Sequence, residues 1–138
     1  MAVEIDVVYL GKLSCRAKHG PSGALVETTP PKDNGGDGSK FSPTDLVATA
    51  LGTCVVTIMA MTAERRGIDL RECEIRVEKH MTAEAPRRIA RLPVVVKFKH
   101  RVSADDEKAL HAAAHGCPVH RSIHPDIDSP IVFEFPAA

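Results

Sequence analysis

Cysteine and histidine carry most of the reactive chemistry open to this 138-residue chain, which has four of the first and seven of the second. Cys54, between Thr53 and Val55, stands in the middle of a stretch without charge that runs over residues 46–63. Taken alone, a cysteine in such surroundings is a small, inert hydrophobe. Cys117 follows Gly116 and precedes Pro118. Proline favours the first position of a helical turn, so this order predicts a new turn with the cysteine near its N-terminal end, a location that lowers a thiol pKa. Cys15 and Cys73 fall in strand-like segments, Cys73 on an apolar alternation, and packing is the expected role of both.

A second chemistry competes for the same region. His111, His115, Cys117, His120 and His124 lie within fourteen residues, and His111 with His115 at i and i+4 would share one helix face, a spacing that suits imidazole ligation of a metal. Against this, no second cysteine or acidic ligand stands at zinc spacing and Pro118 interrupts the cluster. A histidine near a helix C-terminus is also explained by the helix dipole. The expectation is no bound metal and no cofactor.

The elements that must position these residues follow from patterning. Residues 4–10 and 23–29 read as strands separated by Gly20-Pro21-Ser22-Gly23, giving an N-terminal hairpin or meander. Residues 28–41 are dense in Pro, Gly, Asn and Asp, which predicts a mobile lid or binding loop, although the spacing of a phosphate loop is missing. Ser42-Pro43-Thr44-Asp45 predicts a helix start, with Ser as cap, Pro at the first helical position and Asp near the positive dipole end. Gly67 ends that helix. Spanning residues 43–66 it would be about 36 Å long, the full diameter of a compact domain of this size.

Because residues 46–63 are uncharged and apolar around most of the circumference, the helix is expected to be buried on all sides. Length alone also admits a membrane span. Thr49, Thr53, Thr57, Thr62 and Gly52 make it weakly hydrophobic and no aromatic belt flanks it, so a second subunit is the expected cover. Cys73, Ile75 and Val77 alternate with charged residues as a half-buried strand, and Val94, Val96 and Phe98 repeat the pattern. These two should pair antiparallel, with Pro93 marking an edge or bulge. Ser103-Ala104-Asp105-Asp106-Glu107 opens a second, shorter helix that ends at Gly116, and residues 131–135 form a last strand. The expected class is α+β, in one domain over residues 1–138.

Composition excludes several functions. Lys plus Arg equals Asp plus Glu at 18 each, and five aromatic residues are too few for base-stacking platforms, so neither nucleic acid nor an acidic membrane is an expected partner. The first residues, Met1-Ala2-Val3-Glu4-Ile5-Asp6, lack the basic start and apolar run of a secretory signal, and a cytoplasmic location is expected. Thiols there are kept reduced, which favours free, catalytic or metal-binding cysteines over a disulfide scaffold.

Ser42-Pro43-Thr44-Asp45-Leu46 leading to Leu51-Gly52-Thr53-Cys54, with His115-Gly116-Cys117-Pro118-Val119-His120-Arg121-Ser122 later, resembles the OsmC/Ohr family of osmotically inducible and organic hydroperoxide resistance proteins. The likeness extends to His19-Gly20-Pro21-Ser22-Gly23, the Gly-rich loop before Phe41 and the order of elements. It implies an intertwined α+β homodimer, its long central helices buried against each other and wrapped by antiparallel strands. It also implies a thiol-dependent peroxidase that reduces organic hydroperoxides in oxidative stress defence, with Cys54 as peroxidatic thiol and Cys117 as its resolving partner. Reduction by a thiol or a lipoyl-type reductant would complete the cycle.

In strongly active members an arginine of the N-terminal strands, held by a carboxylate, favours the thiolate. Arg16 stands in the corresponding region, with His19 as the alternative. The Ohr branch has a glutamate ten residues before the helix cysteine, where this chain has Thr44, with Asp45 next to it. Asp45 would lie roughly opposite Cys54 on the helix and is expected to cap it. The departure points to the broader OsmC-like branch and to slower turnover. A dimer that binds an apolar ligand beneath the 28–41 loop without catalysis is the remaining alternative.

Overall fold

The helix start at Ser42 is a reciprocal cap. Asp45 N–H donates to Ser42 Oγ (3.0 Å) and Ser42 N–H donates to Asp45 Oδ2 (2.9 Å), satisfying backbone donors that the first turn leaves without helical partners. From this cap α1 runs over Pro43–Arg65, and Gly67, at φ 71°, turns the chain away. The structure, a computed structural model, describes residues 1–137. It forms two compact units, one up to Leu46 and one from Val47 onward.

The first unit is an antiparallel meander of β1 (Ile5–Gly11), β2 (Ser14–His19) and β3 (Leu25–Thr28), in that order. Lys12 and Leu13, both at positive φ, make the first turn, where a bulge between Tyr9 and Gly11 shifts the register. Strand periodicity puts Ile5, Val7 and Tyr9 on one face and Val8 and Leu10 on the other, and all five are exposed. After β3, the segment expected to be mobile is bonded to itself. Thr29 N–H donates to Phe41 O (3.2 Å), Gly36 N–H to Pro31 O (3.0 Å), and Asp37 accepts from the backbone and hydroxyl of Ser39. A short 3-10 turn, Lys32–Asn34, lies inside it.

The second unit holds most of α1, then β4 (Glu74–Val77), β5 (His80–Met81), β6 (Ile89–Arg91), β7 (Val94–Lys97), α2 (Ala104–His115) and β8 (Ile131–Glu134). β5 and β6 pair as a two-stranded ribbon. β7 pairs antiparallel with β4, as the alternating patterns predicted, Ile75 opposite Val96 and Val77 opposite Val94. β8 adds to the other side of β7 in parallel register. Parallel neighbours need a long crossover, and α2 sits in it. β7 is therefore central, and the edge position inferred from Pro93 does not hold. The proline precedes the strand, and its carbonyl accepts from Glu78 N–H (3.1 Å), so its missing donor costs the ladder nothing.

Leu51, Val55 and Met59 of α1, Val94 and Val96 of β7, Leu110 and Ala114 of α2, with Leu92, Cys117 and Ile131, form one buried core. Gly52 permits the approach of α1 to β4: a Cβ there would stand 2.9 Å from Val77 Cγ2. Ser103 caps α2 by accepting from Asp106 N–H (3.1 Å), as its sequence predicted.

Burial around the whole of α1 is not met within one chain. Ala48, Leu51, Gly52, Val55, Met59 and Ala63 are buried on one side, whereas Thr49, Ala50, Thr53, Thr57 and Met61 are exposed. The helix is long and apolar enough to cross a membrane, with a mean hydropathy of 1.9 over its most apolar window, and 33% of that window is buried.

Candidate thiol site

Cys54 lies midway along α1, on the flank of its inner face. Two and three residues away, Gly52 and Leu51 are buried, while the Cys54 side chain is only partly covered. Of the neighbours one turn away on the same side, Ala50, Leu51 and Ile58 are apolar and Thr57 is an exposed polar residue. Thr53 bonds its hydroxyl back to Thr49 O (2.8 Å) and so adds no free polar group next to the thiol.

Cys117 comes from the segment after α2. Its cap residue Gly116 donates back to Ala112 O (3.0 Å) and Ala113 O (3.1 Å), the chain leaves the helix, and Cys117 turns into the core with no exposed surface. There the thiol of Cys54 is its close neighbour. Two cysteines 63 positions apart in sequence are thus brought together by α1 and by the turn after α2. All four cysteines are free thiols.

The new turn expected at Pro118 is present: Arg121 N–H donates to Cys117 O (3.1 Å), and Ser122 and Ile123 donate to Val119 O. The lowered thiol pKa expected from it is not. Burial pushes the Cys117 thiol up, more than the N–H groups of His120 and Val119 pull it down, and the bond with Cys54 raises it further. The turn has the donors required, but desolvation of a thiolate in a closed core outweighs two neutral hydrogen bonds.

The histidine cluster is arranged for stacking. His111 lies flat on Phe133, ring centroids 3.9 Å apart, and stacks at 5.5 Å on His115, whose Nδ1 reaches His111 O (2.9 Å). His120 stands edge-on to His115 at 5.7 Å and donates from Nε2 to Ser129 O (3.2 Å). Among the described residues no three His, Cys, Asp or Glu side chains are grouped so as to hold a metal ion.

Arg16 lies on β2, in the other unit, opposite Val8 of β1 and Glu27 of β3. Its side chain is exposed in a groove of about 440 Å³ shared with Asp6, Val8, Lys18 and Leu25. The Glu27 carboxyl is held below its ordinary range by Lys40, which bonds it at 2.8 Å, and more weakly by Arg16. His19 bonds Ser22 Oγ (2.6 Å) in the following turn. Cys15, opposite Tyr9 and Thr28, belongs to the same sheet. Cys73 lines a cavity of about 300 Å³ between the end of α1 and the start of α2.

The sequence pattern of the OsmC-like proteins matches residues 36–130, which include both thiols, the end of the loop before α1 and the whole of α2. A crystal structure from Psychrobacter arcticus, described as that of a candidate osmotic stress induced and detoxification response protein, is 36% identical, covers 94% of each chain and superposes with a TM-score of 0.89. The chain belongs to the OsmC-like family. The same fold recurs at lower identity in an organic hydroperoxide resistance protein OsmC of Legionella pneumophila (17% identical, 97% of each chain, TM-score 0.77). It recurs again in the OsmC-like protein of Mycoplasma pneumoniae (12% identical, 98% and 97% of the two chains, TM-score 0.80). No match was found among curated proteins.

Within this OsmC-like chain, one feature of the site escaped sequence reasoning: His120 N–H donates to Cys117 Sγ (3.2 Å). The signal was present, since a residue three positions after a turn-opening side chain is where a capping acceptor finds its donor. Cysteine is not among the residues usually read as caps.

Proposed function

We propose that the protein is a thiol-dependent peroxidase acting on organic hydroperoxides through Cys54 and Cys117. One observation carries this reading, the proximity of the two thiols. A sulfenic acid formed on Cys54 would have the Cys117 thiol as its near partner.

The unequal burial supports the proposed division of roles. Cys54 is partly exposed and meets the peroxide; Cys117, fully buried and with its thiol pushed up, resolves. The Cys54 thiolate attacks the nearer peroxide oxygen, an S–O bond forms as the O–O bond breaks, and the alkoxide leaves as an alcohol after taking a proton. Cys117 then attacks the sulfenic sulfur, giving up its proton as water departs, and a disulfide closes before further oxidation. A dithiol of lipoyl type, or two monothiols, returns the two electrons. The apolar positions beside Cys54 favour alkyl hydroperoxides over hydrogen peroxide.

Arg16 is the proposed cation that favours the Cys54 thiolate, and Glu27, opposite it on β3, is the proposed carboxylate partner. Thr44 in place of an acidic residue argues for slower turnover than in relatives named as organic hydroperoxide resistance proteins. The exposed apolar faces of β1 and α1 support a homodimer, and a cytoplasmic location agrees with free thiols. The deciding experiment is thiol trapping with peptide mapping after one equivalent of tert-butyl hydroperoxide. A Cys54–Cys117 disulfide, with Cys15 and Cys73 still reduced, is expected; unchanged thiols at both positions would refute the proposal.

A further inference from the structure

Cys117 is held by more than packing. Its sulfur accepts the N–H of His120 at 3.2 Å, so a backbone donor of its own turn points at the resolving atom. Pro118, next to the cysteine, has no N–H to offer and fixes the start of the turn. Ser122 Oγ closes the turn by donating to Pro118 O (2.7 Å). A side-chain hydrogen bond also fastens the turn from outside. His120 Nε2 reaches Ser129 O (3.2 Å), and Ser129 Oγ donates in turn to Leu92 O (2.9 Å), just before β7. Because a carbonyl oxygen only accepts, Nε2 is the protonated ring nitrogen. The ring thus ties the cysteine turn to the segment leading into β8 and, through it, to the central strand.

We infer that His120 is a positioning residue for disulfide closure: its ring anchors the 117–123 turn to Ser129 so that its own backbone N–H stays aimed at Cys117 Sγ. This rests on the peroxidase reading and adds a residue outside the cysteine pair. The resolving step needs it for a specific reason. When Cys117 gives up its proton to attack the Cys54 sulfenic sulfur, negative charge gathers on a sulfur with no exposed surface. The fixed N–H of His120 is then a stabilisation within reach, since a backbone dipole already in place needs no reorganisation. The titratable groups around Cys117 are Cys54 of α1 and His120 of its own turn, with His115 of α2 edge-on to the His120 ring.

The test compares His120→Phe, which keeps a ring but no donor, with His120→Gln, whose amide N–H can still reach a carbonyl, and with His120→Ala. Two readouts separate this inference from the reading beneath it. In single turnover with tert-butyl hydroperoxide, sulfenic acid should form on Cys54 at the parent rate in all three. Conversion to disulfide should slow about three- to tenfold in Phe and Ala, the worth of one neutral hydrogen bond, and recover in Gln. In a Cys54→Ser background, which needs no peroxide chemistry, the Cys117 thiol should titrate at higher pH in Phe and Ala than with His120 or Gln. Parent-like closure and unchanged titration in His120→Phe would overturn the inference, as would equal slowing by Phe and Gln. Failure of the parent to form the disulfide, with the thiol titration still shifted, would instead sink the peroxidase reading alone. Should His120→Ala not fold, the Phe and Gln pair decides.

Discussion

The thiol of Cys54, halfway along α1, is a close neighbour of the wholly buried thiol of Cys117 in the turn after α2. Removing either sulfur should therefore have a different result. Cys54→Ser should abolish hydroperoxide consumption. Cys117→Ser should allow one turnover and then accumulate sulfenic and sulfinic acid on Cys54, read by intact mass. Equal consumption by Cys54→Ser and the parent would show that the peroxide reacts elsewhere.

Arg16, exposed on β2 opposite Glu27, is assigned the cationic role. Arg16→Ala should slow sulfenic acid formation by about tenfold and raise the pH at which Cys54 is alkylated, since a cation near sulfur favours the thiolate. Arg16→Lys should keep much of the rate. A silent Arg16→Ala would transfer the role to another cation, with His19 first to be tried.

Two thiols are pushed above their ordinary value of 9.0. For Cys117 and Cys73 alike burial is the first cause; Glu74 adds to it at Cys73, and the Cys54 bond adds to it at Cys117. A raised folded pKa means that the folded state holds the proton more tightly than the unfolded chain. The associated stability is fully present below the unfolded value and is lost as pH rises through the folded one. Urea denaturation of the reduced protein should show lower stability at about pH 10 than at about pH 7, with a shallower decline in Cys73→Ala. A stability that rises over this window would contradict the burial of both thiols.

The outer side of α1, with Ala50, Thr53, Thr57 and Met61 exposed and no charge over residues 46–63, is expected to face a second copy. Sedimentation at low micromolar concentration should show two chains. Thr57→Glu should weaken the dimer at least about tenfold, because a carboxylate left unpaired in an apolar contact costs more than that factor requires. A folded wild-type monomer at that concentration would overturn the dimer.

Periodicity and cap chemistry are local, so the sequence alone determined much of the element order. Ser42, Pro43 and Asp45 announced α1, Gly67 its end, Ser103 the start of α2, and the alternation at residues 73–77 and 94–98 the β4–β7 pair. The motifs around Cys54 and Cys117 also singled out those two thiols of four as the proposed pair. Long-range relationships were left to the tertiary structure. Parallel addition of β8 depends on a crossover that no local pattern encodes, and it puts β7 at the centre of its sheet, where Pro93 had suggested an edge or a bulge. The direction of the Cys117 titration was decided the same way. The turn at Pro118 was legible and supplies the N–H donors that lower a thiol pKa, but how completely Leu51, Val55 and their neighbours close the core is a property of packing, and burial is the larger effect.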